Sequence, residues 1–362
     1  MSAQLATKER MSGRDYGYGN ARVRGMRSRL LTSRFVDELM DTADLGRIIQ
    51  MLIDTEYGPD IETAVIKGRT PAAMDEAFRA NMVRTFQKVM GFLNAEAYDL
   101  LGTLLGRWDL FNIKSIVRGK HMHLSSEEIE DGLYAVGALS PIELHFLVGL
   151  EDIPAVVDTL ATWGSPYAVP LRSGLAEYAQ GGNLASLELA LDKYYFTWAA
   201  SRLSGRRANA KLAREILGLQ ADSVNLLTTF RLLKSDIGDV DPKSFYLPSG
   251  THISEELFNR MTAMSDVDEV LDALKGTPYA KQLEAVVANY VEEGSLAVFE
   301  RALEDYVMRK ALESRRGDPL GVGITVSYLW AKQNEITNLR IIVKGTSVGM
   351  PADRMRKELI LV

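Results

Sequence analysis

Asp109-Leu-Phe-Asn112-Ile113, Asp222-Ser-Val-Asn225-Leu226 and Glu335-Ile-Thr-Asn338-Leu339 are three versions of one pattern, and six residues past each Asn stands a cation: Arg118, Arg231 or Lys344. The interval from Asn112 to Asn225 is the same as that from Asn225 to Asn338. Two long intervals that agree to the residue mark an internal repeat, and the period exceeds the roughly 20 to 50 residues of solenoid arrays. Each copy is therefore expected to be a small helical unit, and three copies predict a pseudo-threefold body.

Further matches lie outward from the motif. An interval one residue shorter separates Ser165-Pro-Tyr167-Ala168 from Thr277-Pro-Tyr279-Ala280, Tyr178 from Tyr290, and Gly182-Asn-Leu184-Ala185 from Gly294-Ser-Leu296-Ala297. A more diverged third version offers Thr55-Glu-Tyr57-Gly58, followed by Asp75-Glu-Ala77-Phe78 against Glu188-Leu-Ala190-Leu191 and Glu300-Arg-Ala302-Leu303. The expected partition is 1–122, 123–235 and 236–362, with a basic N-terminal arm on the first repeat.

Apolar residues recur at helical spacing through all three copies. Leu45, Ile48, Ile49 and Leu52 correspond to Ile153, Val156, Val157 and Leu160, and to Val267, Val270, Leu271 and Leu274. Ser126-Glu127-Glu128-Ile129 and Ser254-Glu255-Glu256-Leu257 read as helix starts, with a serine capping free amides. Asp236 to Thr251, with Asp241-Pro242, Pro248 and Gly250, reads as loop. The one strand-like run, Val322 to Tyr328, aligns by the repeat offset with the helical pattern at Leu212 to Glu215 and is assigned to helix. The fold class expected is all-α.

On a helix, an acid and an Asn three apart share a face, and Ile116, Thr229 and Ile342, seven beyond each acid, continue it. Such polar groups at the rim of an apolar seam can satisfy helix ends or loop carbonyls, since burying them unpaired costs about 1–3 kcal/mol. The repetition favours a structural role for Asp109, Asn112, Arg118, Asp222, Asn225, Arg231, Glu335, Asn338 and Lys344, because a catalytic group is ordinarily needed once.

Composition narrows the function. Hydrophobic residues make up 46% of the 362, enough for proper cores. No run of about 18 apolar residues exists, since the best stretch, Val136 to Leu150, is broken by Pro141, Glu143 and His145. No secretory leader is evident, and the absence of cysteine removes thiol chemistry and fits a cytoplasmic setting. The net charge of −6 hides an arm: residues 1–34 hold eight cations against two acids, a balance of +6, so the rest of the chain sums to −12. An acidic body disfavours nucleic acid, while Arg22 and Arg24 make the arm a candidate partner-facing surface. Gly17-Tyr-Gly19 and Gly321-Val-Gly323 complete no phosphate fingerprint, and His121-Met-His123 is read as surface loop rather than a metal site. No catalytic residue, cofactor or small-molecule substrate is expected.

Asp15-Tyr-Gly-Tyr18-Gly-Asn20-Ala-Arg22-Val-Arg24, Trp108-Asp109-Leu-Phe-Asn112-Ile-Lys, Leu191-Asp-Lys-Tyr194-Tyr195-Phe196, and Asp318-Pro-Leu-Gly-Val-Gly323 through Glu335-Ile-Thr-Asn338-Leu-Arg340 together resemble the C subunit of the archaeal and bacterial V/A-type ATP synthases, counterpart of the d subunit of the vacuolar ATPase. The resemblance covers essentially the whole chain. It implies a funnel of three similar helical domains and a non-catalytic rotor part, one copy per complex, at the cytoplasmic face of the membrane. Such a part seats the central-stalk subunits D and F on the membrane proteolipid ring and carries torque between ion transport and ATP synthesis or hydrolysis. The competing expectation is an all-α scaffold that binds soluble partners without a rotary role; a third is a membrane-surface protein held by its basic arm.

Overall fold

The structure, a computed structural model, describes residues 16–234 and 240–361. Among these residues all regular structure is helical. After α1 (Gly17–Arg27) the helices follow a recurring order. The first series is α2 (Ser33–Asp41), α3 (Leu45–Ile53), α4 (Gly58–Ala64), α5 (Pro71–Gly91) and α6 (Ala95–His121). After the short α7 (Ser126–Glu130) it recurs as α8 (Pro141–Gly149), α9 (Ile153–Thr162), α10 (Ala168–Gly181), α11 (Ala185–Arg202) and α12 (Ala208–Lys234). The third series is α13 (Glu255–Met261), α14 (Val267–Ala273), α15 (Pro278–Glu284) with α16 (Val287–Glu293), α17 (Ala297–Glu313) and α18 (Gly323–Ser347), followed by α19 (Ala352–Glu358). The repeated acid and asparagine lie on α6, α12 and α18, the last helix of each series.

Capping chemistry fixes where the short helices begin. Thr32, Ser140 and Ser254 hold extended backbone and accept from the amides of Phe35, Glu143 and Leu257, opening α2, α8 and α13. At one constant interval further on in each series, Asp44, Asp152 and Asp266 do the same for α3, α9 and α14. Each cap satisfies an amide that the helix leaves free, a contribution of about 1 kcal/mol. The start expected at Ser126 is displaced by one residue: Ser125 is the cap, and it forms a reciprocal box with Glu128. The strand-like run at Val322 lies almost wholly in α18, because apolar residues on every side make that helix buried nearly all round. Of the expected loop, residues 240–251 hold only the 3-10 turn Pro242–Phe245, and residues 236–239 lie outside the described residues, as do Lys8, Arg10 and Arg14 of the arm.

Packing divides the chain into two compact units, Met1–Leu101 with Ala311–Val362, and Gly102–Lys310. In the first, the end of the sequence packs with its beginning, α18 against α5 and α1 and α19 against α2. Tyr57 and Phe78 meet edge to face at 5.6 Å in its core. In the second, Leu226 and Phe230 of α12 share one apolar cluster with Phe258, Val270, Tyr279, Phe299 and Leu303 of the series that follows. The positions seven past each acid, Ile116, Thr229 and Ile342, are fully buried.

Candidate functional site

Asn112, Asn225 and Asn338 perform the same operation three times. Asn112 donates from Nδ2 to the carbonyl of Tyr134 at 2.7 Å and accepts at Oδ1 from that residue's amide at 2.9 Å. Asn225 holds Leu247 with both bonds at 2.8 Å, and Asn338 holds Ile360 at 3.0 and 3.2 Å. In every case the pinned residue lies the same distance on along the chain. A side-chain amide carries one acceptor and one donor pair in a plane, so it can satisfy both backbone groups of one residue as a neighbouring strand would. Aspartate lacks the donor. Because all three asparagines are buried, these bonds also remove polar groups that would otherwise be costly.

The acid one turn earlier holds the next stretch of backbone. Asp109 accepts from the amides of Ala138 and Leu139 at 2.8 and 2.9 Å, and Asp222 from those of Thr251, His252 and Ile253 at 3.1, 2.8 and 3.0 Å. These amides immediately precede the caps Ser140 and Ser254, so each acid places the start of α8 or α13. The approach is close enough to require glycine: a β-carbon on Gly137 or Gly250 would stand 2.2 Å from Oδ1 of Asp109 or Asp222. Tyr279 donates its hydroxyl to Asp222 at 2.9 Å, while Tyr167, its counterpart, donates instead to the Gly106 carbonyl at 3.0 Å. Burial pushes the Asp109 carboxyl up to about 6 and also raises Asp222, in both cases against the pull of the amides. Burial, reinforced by the neighbouring carboxylates, raises both tyrosines as well.

Glu335 holds the first series. Its Oε2 accepts from the amide of Leu31, just before the cap Thr32, and its Oε1 accepts from the Tyr57 hydroxyl at 2.7 Å. Leu31, Leu139 and Ile253 thus occupy one place, as do Tyr57, Tyr167 and Tyr279. Where the glycine is lacking, the acid is one methylene longer. Lys332 completes this copy: its ammonium lies 3.0 Å from Glu335 Oε1 and 3.8 Å from the centre of the Tyr57 ring. Burial lowers the Lys332 ammonium while Glu335 holds it up, and the Tyr57 phenol is driven well above its ordinary value by burial and by Glu335.

The cations divide unevenly. Arg118 pairs with Glu188, and Arg231 lies 3.6 Å from Glu300. Asp75, the equivalent acid, pairs with Arg340, which stands at the place of Lys114 rather than at that of Lys344. Lys114 itself reaches Asp192 at 2.9 Å. In the arm, Arg22 is exposed and lies over the rings of Phe92 and Tyr18 at 4.6 and 5.6 Å. Arg24 donates to the Pro319 carbonyl at 2.8 Å, and Asn20 donates to the Gly321 carbonyl at 3.1 Å. The first and last family-like segments therefore meet. His121 faces Tyr178 at 3.0 Å, and among the described residues no three metal-binding side chains converge. What the repeated Asp, Asn and Glu side chains do in the structure is fix backbone.

Sequence reasoning left out Gly137, Gly250 and the role of the three tyrosines. The glycines carry a visible signal, since each lies at the same distance past its acid. Among the described residues no helix is long and apolar enough to cross a membrane. The pattern of the ATP synthase (C/AC39) subunit family matches residues 19–358. The chain is similar to the A-type ATP synthase C subunit of Methanocaldococcus jannaschii, 26% identical over 95% of this chain and 86% of that relative. It is also similar to the A-type ATP synthase C subunit of Haloquadratum walsbyi, 28% identical over 97% and 99%, and to the V-type ATP synthase C subunit of Deinococcus radiodurans, 28% identical over 95% and 91%. With nearly its whole length matched, the chain belongs to the ATP synthase (C/AC39) subunit family and is a non-catalytic subunit of that complex.

Proposed function

We propose that this chain is the socket of the rotor: it receives the central-stalk subunits D and F, rests on the membrane proteolipid ring, and carries torque between ion transport and the nucleotide sites of the head. The observation that carries the reading is the full-length family match, residues 19–358. The threefold pinning of backbone by buried side chains supports it, because a torque coupler must be stiff, and paired backbone groups resist local opening. In this reading the repeats 1–122, 123–235 and 236–362 are domains of one funnel, and Asp109, Asn112, Asp222, Asn225, Glu335 and Asn338 fix their fold, with Arg118, Arg231 and Lys344 at the outer edge. The body lies outside the bilayer, peripheral on the cytoplasmic face, and Arg22 and Arg24 present their charge to the stalk.

The test is affinity recovery of the tagged chain from gently solubilised native membranes. Stalk, proteolipid and head subunits should co-purify with ATP hydrolysis activity. Recovery of soluble partners alone, under conditions that keep the ATPase intact, would replace the socket with a scaffold. Reversing Arg22 and Arg24 to Glu should weaken stalk binding and reduce its dependence on salt; unchanged binding would remove the arm from that interface.

A further inference from the structure

The three internal copies serve as controls for one another, and one face differs. On α8, Ile142 and Phe146 stand four apart, 82% and 53% exposed, on the side opposite the buried Leu144, Leu147 and Val148. Trp163, 39% exposed, closes on Phe146 with ring centres 5.7 Å apart. Counted from the caps Ser140, Ser254 and Thr32, the positions of Ile142 and Phe146 are held in the other copies by Glu256 and Arg260 and by Arg34 and Glu38. Arg34 and Glu38 form a surface ion pair at 3.0 Å. Trp163 also lies in a longer stretch of chain: the interval from Asp152 to Tyr167 exceeds by two positions the equal intervals from Asp266 to Tyr279 and from Asp44 to Tyr57. Two copies show water charged side chains at this face, and one shows it two aromatics and an isoleucine.

The fold does not need that difference, since α2 and α13 form and pack with charges in the same places. Large apolar side chains left in water forgo about 25 cal/mol for each Å2 that a partner would cover, and clustered ones mark contact sites. The surrounding charge selects the partner. Residues 121–171 hold eight carboxylates and no Lys or Arg. The nearest cations are occupied, Lys120 by the Val148 and Leu150 carbonyls at the end of α8 and Arg172 by Asp158, and Glu130 lies 2.6 Å from the ring of His145, the neighbour of Phe146. A face of this sign is repelled by anionic lipid and complements a basic rim.

We propose that Ile142, Phe146 and Trp163 form a docking patch, present in one repeat only, for a protein surface with an apolar centre and a Lys/Arg rim, carried by another subunit of the ATP synthase complex. The inference uses membership of the complex and does not depend on the socket reading. A benzophenone amino acid is placed at Phe146 in the tagged full-length chain, and in parallel at Arg260 and Glu38, and the assembled complex is irradiated. Position 146 should cross-link to a peptide of another subunit in which Lys or Arg flanks apolar residues, and positions 260 and 38 should not. Cross-linking to lipid, to a second copy of this chain, equally at all three positions, or not at all at 146 would overturn the proposal. Phe146→Ala should weaken retention in the complex about tenfold or more, whereas Arg260→Ala leaves it unchanged, with helical content of both variants intact by circular dichroism. Equal retention of the two would also overturn it. If stalk and ring co-purify but no cross-link forms, this inference fails alone; if the cross-link forms on a complex lacking either, the socket fails alone.

Discussion

Aspartate and asparagine one turn apart divide the work by their chemistry. The amide side chain suits a single residue whose N–H and C=O both need partners, and the carboxylate, with acceptors only, suits a row of N–H groups ahead of a cap. Asp109 is held by two such amides, yet its burial dominates and raises its titration from the ordinary 3.8 to about 6. The folded state therefore binds the proton more tightly than the unfolded chain. Stability from this site is present below about pH 3.8 and is lost as pH rises toward 6. The unfolding free energy of the protein minus that of Asp109→Asn should fall across this window by up to about 3 kcal/mol, read from denaturant titrations at each pH. A flat difference would mean that the amides outweigh burial. Glycine chemistry gives a second expectation: Gly137→Ala and Gly250→Ala should each cost about 1 to 3 kcal/mol, because the new methyl displaces the carboxylate. Gly149→Ala, with nothing within 4 Å, should be nearly neutral.

At the scale of elements, what repeats is a junction: the end of one series fixes the start of another. Ser140 caps α8 in a reciprocal box with Glu143, and Asp109 holds the amide of Leu139 just before it. Ser140→Ala should cost about 1 kcal/mol in chemical denaturation, and combined with Asp109→Ala it should cost more than the two separately, since both act on one turn. Additive costs would show that the cap and the acid act independently. Much of this was legible in the sequence. The constant spacing of acid, Asn and cation gave the helices that bear them, and the apolar spacing at Leu45, Ile153 and Val267 gave three equivalent short helices. The cap at Ser125 was missed by one residue because Ser126 follows it and either serine satisfies the same pattern. The partners of Glu335 were not legible: Leu31 and Tyr57 lie near the other end of the chain, and no local spacing connects them. Lys344 is the third cation of the pattern, but the acid equivalent to Glu188 and Glu300, Asp75, pairs with Arg340, a turn away.

At the scale of the molecule, the third junction joins the two ends of the sequence. Glu335 near the C-terminal end holds Leu31 and Tyr57 near the N-terminal end, and both belong to the discontinuous unit of residues 1–101 and 311–362. That unit cannot complete its core until the last helices have been made, whereas residues 102–310 are continuous. Its stability also rests on a buried pair, Lys332 and Glu335, whose side chains are 4% and 8% exposed. Removing one partner of such a pair strands the other charge and costs about 3 to 5 kcal/mol, while replacing both with apolar groups of similar size is often neutral. Glu335→Ala should therefore accelerate amide exchange across residues 31–57 and 323–347 and leave peptides from 102–310 near their original rates. Adding Lys332→Met should restore most of the lost protection, since no charge is then left buried. Exchange that rises equally in both units would show that they unfold as one, and rescue without protection at Leu31 would show that the pair, rather than the hold on the first series, is what Glu335 contributes.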